Sequence, residues 1–158
     1  MYQEVYKSPI GDLLISSDAD SIISIEFDGS IDSHNPSALT SECISQLKEY
    51  FSDERNSFDL PLNPEGTEFQ KSVWNQLLEI PFGKSISYSK LAVSLGDIKT
   101  IRAAGTANGK NKIPIIIPCH RVIGKDGSMV GFSGGVWRKE WLLKHEGILQ
   151  GEQMKIFG

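Results

Sequence analysis

The 158-residue chain is 39% hydrophobic and 23% charged, a balance that fits one compact unit or two small ones and excludes wholesale disorder. Met1 to Gly11 mixes charged with apolar residues, unlike a secretion signal, and no segment is long enough to span a bilayer. Two cysteines, Cys43 and Cys119, cannot build a disulfide framework, so the expectation is a cytoplasmic protein with free thiols. The net charge of −4 conceals an uneven distribution: residues 1–64 hold three Lys/Arg against twelve Asp/Glu, and residues 65–158 hold thirteen against eight. From Lys84 to Lys144 eleven basic residues face only Asp97, Asp126 and Glu140. That excess suits a polyanion, although a plain solvated surface would carry the same charges.

In chain order, Leu13-Leu14-Ile15 and Ile22 to Phe27 are β-rich runs separated by turn clusters at Pro9 to Asp12 and Asp18 to Asp20. Ile23, Ile25 and Phe27 alternate with Ser24 and Glu26, which predicts one buried and one wet face and hence an antiparallel meander. Between Thr40 and Asp53, Cys43, Ile44, Leu47, Tyr50 and Phe51 recur at helical spacing, so an amphipathic helix should cover the sheet, with Cys43 as packing. Residues 56–66, with Pro61, Pro64 and Gly66, read as a linker. Thr67-Glu68-Phe69-Gln70 is a capping box, and Phe69, Val73, Trp74, Leu77 and Leu78 form the stripe of the helix it starts. Pro81 and Gly83 end that helix. Ser87 should cap a short helix running to Leu95 with Gly96 as its stop, and Asp97 should cap another through Asn108. Two helices joined at a Gly corner read as a helix-turn-helix. Arg102 stands out among the small residues Ala103, Ala104 and Gly105, on a smooth face that suits either a close-approaching partner or tight packing. The fold class is therefore an α/β N-terminal domain, a small antiparallel sheet with a helix, followed by a mainly α domain with a helix-turn-helix. The expected domains are 1–62, a support domain, and 63–150, with 151–158 as a loose tail.

The sharpest local signal is Ile115-Ile116-Ile117-Pro118-Cys119-His120-Arg121-Val122, an apolar run that stops at a proline and delivers Cys and His together. Three isoleucines suggest a buried strand or extended segment. A thiol attacks as thiolate and needs a base or positive field beside it, for which His120 and Arg121 are candidates. On Cys-His alone, a buried inert cysteine is an equal reading.

From Gly66 to Gly147 the chain resembles the O6-alkylguanine-DNA alkyltransferases. The residues that carry the resemblance are Gly66-Thr67-Glu68-Phe69-Gln70, Val73-Trp74, Ile80-Pro81-Phe82-Gly83, Ser87-Tyr88, Arg102-Ala103, Asn111, Pro118 to Val122, Ser133-Gly134-Gly135 and Leu142 to Glu146. The first 60 residues fit the family's variable N-terminal domain loosely. The resemblance implies a single displacement in which Cys119 takes a methyl or larger alkyl group from O6-alkylguanine, and by extension O4-alkylthymine, in double-stranded DNA. Each molecule would act once, with no cofactor, as a monomer. It further implies that His120 acts through water as base for Cys119, that Glu146 orients and charges the imidazole, that Asn111 ties the network together, and that Tyr88 donates a proton to the guanine ring. Pro114 and Phe132 would wall the alkyl pocket, with Val122 and the backbone N–H of Ser133 also meeting the substrate. The helix bearing Thr100, Arg102, Ala103 and Gly105 would enter the minor groove, Arg102 filling the space of a base swung out of the stack.

Three positions depart from the family: Lys112 and Ile98 where Pro is common, and Phe132 where Tyr is. They bear on pocket width and alkyl size. Some relatives hold structural zinc in the N-terminal domain, but His34 and Cys43 cannot complete a Cys/His site there, so no metal is expected. Two other classes share parts of the pattern: a damage sensor of the same fold without transfer, and a Cys-His thiol hydrolase.

Overall fold

A computed structural model describes residues 1–31, 34–124, 127 and 132–149. The chain divides into two units, Met1–Glu65 and Gly66–Gly158. The expected loose tail, 151–158, lies outside the described residues.

In the first unit β1 (Tyr2–Ser8), β2 (Gly11–Ser17) and β3 (Ile22–Phe27) form an antiparallel sheet in the order β1-β2-β3. Register runs from Tyr2 opposite Ser17 to Ser8 opposite Gly11, and from Leu13 opposite Phe27 to Ser17 opposite Ile22. β2 is the central strand, and Leu13, Leu14 and Ile15 are all buried. On β3 the expected alternation is only partly realised: Ile22 and Ile25 are buried, while Ile23 and Phe27 are half-buried, and Ile22 also bonds on its far side to Pro61 and Asn63. α1 (Ala38–Phe51) begins two residues earlier than its apolar spacing predicts. Ser37 and Thr40 form a reciprocal capping box there, Ser37 Oγ accepting from Thr40 N at 3.0 Å. α1 packs on β1 and β2 and buries Cys43, Ile44, Leu47 and Tyr50.

The second unit opens with α2 (Glu68–Leu77), capped as its sequence predicts: Gln70 N donates to Thr67 Oγ1 at 3.1 Å and Thr67 N to Gln70 Oε1 at 3.0 Å. Val73, Trp74 and Leu77 are buried, whereas Phe69 and Leu78, counted in the same stripe, are exposed. Trp74 explains Gly66, since a Cβ there would lie 2.6 Å from the indole ring. β4 (Ile86–Ser87) pairs in parallel with β5 (Val122–Ile123). α3 (Tyr88–Ser94) starts at Ser87, whose hydroxyl accepts from Lys90 N, and stops at Gly96 with φ +99°. The second helix of the pair differs from expectation. Asp97 caps only a 3-10 turn, Ile98–Thr100, from which α4 (Ile101–Gly109) proceeds. α5 (Val136–His145) completes the unit. No helix among the described residues is long and apolar enough to cross a membrane.

Candidate active site

The segment that leads to Cys119 is buried, as its isoleucines predict, but it is a turn and not a strand. Ile115 takes φ +76°, a costly conformation for a β-branched residue. Asn111 makes the turn possible: its Oδ1 accepts from Ile113 N at 3.0 Å and its Nδ2 donates to Ile117 O at 2.7 Å, replacing the partners a neighbouring strand would supply. Pro118 then leads into a 3-10 turn, Cys119–Arg121. The side chain of Asn111 and the backbone N–H groups of Cys119 and His120 each favour the sulfur's anion.

Cys119 is 3% exposed. Burial pushes its thiol up to about 11, against the pull of Asn111, Lys139 and the two backbone amides. At neutral pH, ionising such a thiol costs about 5 kcal/mol, so proton removal must be coupled to the attack or assisted by a base. His120 is fully buried, and its Nε2 lies 2.7 Å from Glu146 Oε2. Burial would raise the Glu146 carboxyl, but hydrogen bonds and charges from His120 and Arg121 outweigh it and hold the group at about 2. A carboxylate only accepts, so Nε2 carries the proton and Nδ1 keeps its lone pair. Nδ1 is buried with no partner among the described residues. Burial lowers the imidazole's pKa more than Glu146 raises it. Glu146 thus holds the ring through Nε2 and pulls its pKa upward, against the larger effect of burial.

Arg121 is not the positive neighbour of the thiol. Its Nε and Nη2 grip Glu146 at 2.8 and 3.1 Å, and its Nη1 donates to Ile80 O at 2.6 Å. The cation that acts on Cys119 is Lys139 of α5, a residue the sequence did not single out. Lys139 is fully buried, and its Nζ donates to Val122 O at 2.7 Å. Burial lowers its ammonium to about 8, and the charge of Cys119 partly restores it.

Beside these groups opens a cleft of about 700 Å³ lined by Tyr88, Arg102, Gly105, Thr106, Lys110 and Phe132, with Gly109 and Ser133 completing its wall. Arg102 and Ala103 are exposed on the first turn of α4. Gly105 is not forced by packing, because a Cβ there would lie 3.6 Å from the Tyr88 ring, an ordinary contact. Thr100 sits at the start of α4 with its hydroxyl on Asp97 O at 2.7 Å. Cys119 is not among the described lining residues, and its charge reaches the wall through Tyr88. Pro114 and Val122 are buried and likewise absent from that lining. Asn111 serves the turn and the sulfur, and among the described residues its side-chain bonds run to Ile113 N and Ile117 O, not to His120 or Glu146.

Residues 1–64 match the family model described as the ribonuclease-like domain of 6-O-methylguanine DNA methyltransferase, and residues 68–148 match that of its DNA binding domain. The chain belongs to the 6-O-methylguanine DNA methyltransferase family. A methylated-DNA–protein-cysteine methyltransferase of Methanosarcina acetivorans is 44% identical over 93% of this chain and 99% of its own length. That of Haemophilus influenzae is 40% identical over 94% and 87%. Among solved structures, Mycobacterium tuberculosis OGT in complex with DNA superposes with a TM-score of 0.85 at 36% identity, covering 100% of both chains.

Four residues of the site carry no clear mark in the sequence. Thr106 and Lys110 line the cleft one and two helical turns beyond Arg102; their positions on the Arg102 face were the available signal. Lys139 follows Arg138 in a helix whose basic residues read as surface charge. Asn108, buried at the end of α4, donates through Nδ2 to Cys119 O at 3.3 Å. A polar residue among alanines on the inner face of a helix was its only mark.

Proposed function

We propose that this protein repairs DNA by direct reversal, taking the alkyl group from O6 of guanine in duplex DNA onto Cys119 in one irreversible displacement. The observation that carries the assignment to Cys119 is its setting: a buried thiol with Asn111, two backbone amides and Lys139 drawing its pKa down, next to a neutral imidazole whose Nε2 is held by Glu146 and whose Nδ1 is unclaimed. The thiol gives its proton to Nδ1 of His120 through a water. The sulfur forms a bond to the alkyl carbon as the bond from that carbon to O6 breaks, and the bonding pair leaves with the guanine. Tyr88 supplies the proton that neutralises the departing base and regains one from solvent, to which the imidazolium of His120 releases the proton it took from the thiol. The products are a thioether and unmodified guanine. No group in the site could cleave the thioether, so one molecule performs one repair.

The lesion must leave the stack to meet the thiol, at a cost of roughly a few kcal/mol. Arg102, exposed on α4 at the rim of the cleft, is placed to fill the vacated space, with Ala103, Gly105 and Thr100 allowing the helix to come close to the groove. Phe132 and Ser133 bound the cleft that receives the base. Residues 63–150 carry the reaction and 1–62 support it. The proposed transfer calls for no second copy of the chain, in keeping with a monomer, and the free thiols Cys43 and Cys119 suit the cytoplasm.

Intact-mass spectrometry after incubation with duplex DNA containing O6-methylguanine tests the reading. The expected result is one added methyl group per molecule, on Cys119, with no turnover. No gain would indicate a damage sensor, and repeated turnover a hydrolase. In the same assay Arg102→Ala slows transfer from duplex DNA by about thirtyfold, as loss of about 2 kcal/mol of base-displacement energy requires, yet spares reaction with free O6-benzylguanine. Equal losses on both substrates refute the displacement role.

A further inference from the structure

We propose that Arg138 is a positioning residue that ties the cleft wall carrying Phe132 and Ser133 to α5, and thereby sets which sizes of alkyl group the site accepts. The inference rests on the reading of Cys119 as acceptor of an alkyl group from guanine and goes beyond it. Selection among alkyl groups needs a wall held at a set distance from the sulfur, because misplacing a reacting carbon by about 1 Å costs up to about a hundredfold in rate.

Wall and helix are continuous. Phe132 and Ser133 line the cleft, Gly135 N donates to Phe132 O at 3.0 Å to close a turn, and Gly135 is the N-cap of α5. A glycine cap has no side chain with which to hold the first turn of a helix. Arg138, in that first turn, reaches back instead: its Nη1 donates to Gly134 O at 3.1 Å. The guanidinium is buried, and its carbon lies 4.7 Å from the ring centroid of Trp137. Trp137 is 54% exposed, an unusual setting for so large an apolar ring. As the cover of a guanidinium its place makes sense, since a charge-assisted hydrogen bond gains strength where water is kept from it.

The other attachments of α5 lie at the reacting centre. Lys139, the next residue, donates through Nζ to Val122 O at 2.7 Å. α5 packs on the 3-10 turn that carries Cys119, and Glu146 at its end meets His120 Nε2 at 2.7 Å. Neighbouring residues of one helix therefore hold the two sides of the reaction, Arg138 the wall and Lys139 the strand that follows the nucleophile. Loss of the Arg138 tie frees the wall while the anchors on the thiol's side stay in place. A purely structural arginine would behave differently, slowing every substrate alike.

Single-turnover transfer from duplexes carrying O6-methylguanine or O6-benzylguanine separates the two cases. An untied wall no longer holds a small group against the sulfur and gives way before a large one. Arg138→Met should therefore raise the ratio of benzyl to methyl rates by about tenfold, with iodoacetamide labelling of Cys119 unchanged. Arg138→Lys, which keeps a cation beside the indole and a donor for Gly134 O, should leave a rise of only about threefold. Trp137→Ala, at an exposed position, should shift the ratio the same way by about threefold, and it decides the matter if the methionine variant does not fold. Equal slowing on both substrates overturns the proposal, as does an unmoved ratio in Trp137→Ala or no recovery in Arg138→Lys. Altered labelling of Cys119 overturns it as well, because α5 itself would then have shifted. Failure of the unaltered protein to take up either group removes the alkyltransferase reading instead.

Discussion

Cys43 and Cys119 are both buried, and burial is the largest influence raising the pKa of each. What separates them is everything else. Cys43 sits within α1, where Glu4 and Glu42 add to the rise and take the thiol to about 12. Cys119 sits on a 3-10 turn where an amide side chain, two backbone N–H groups and a buried ammonium all pull the other way. Exposure therefore does not distinguish the two cysteines of this molecule. The sign of the surrounding polar groups does, and at Cys119 every group that opposes burial stabilises a sulfur anion.

The largest effect expected from this contrast is its simplest test. Cys119→Ala abolishes methyl uptake in the intact-mass assay, while Cys43→Ala retains full stoichiometry; methylation of the Cys119→Ala protein would break the comparison. Next comes Glu146→Gln, which leaves Nε2 of His120 without an anionic anchor and should slow transfer by about a hundredfold. It also has a stability signature. Glu146 titrates in the fold at about 2, below its ordinary 4.5, so its contribution is complete above about pH 5 and disappears as pH falls through 2. The Gln variant should be less stable than the parent at pH 7 by on the order of 3 kcal/mol, and urea midpoints of the two should converge toward pH 2. A constant gap across that range would show that the carboxylate's partners do not hold it. The smallest effect is that of Lys139→Met, which removes the one cation among the described residues that draws the Cys119 thiol down. Iodoacetamide labelling of Cys119 should slow by about tenfold at pH 7.5, with its pH profile displaced upward. The difference should shrink above pH 8, where Lys139 itself becomes neutral. Unchanged labelling would assign the effect to the amides alone.

Much of the second unit was legible because its helices announce their own ends. Thr67 and Gln70, Ser87, Asp97 and Gly96 stand where local hydrogen bonding or backbone sign requires them, and such signals need no tertiary context. The pairing of His120 with Glu146 came from family resemblance and could not have come from spacing, since 26 residues separate them. Three features were hidden for physical reasons. β1, with Gln3, Glu4 and Lys7 along it, shows no apolar alternation, and its pairing with β2 is what makes it a strand. Ile115 to Ile117 have the burial and branching of a strand, but a single carboxamide from Asn111 takes over the backbone partners and bends them into a turn. Lys139 is charged on a helix rich in charge, and only the fold reveals that it points inward.

The bent segment has a practical consequence. Because Asn111 holds Ile113 N and joins Cys119 N at Ile117 O, the placing of Cys119 depends on a residue two positions from the first of these groups, six from the second and eight from the sulfur. The backbone amides of Ile113 and Ile117 are each held inside this bracket. Their protection against deuterium exchange is thus a gauge of whether the site is assembled, readable by amide mass or magnetic resonance without any oligonucleotide or lesion.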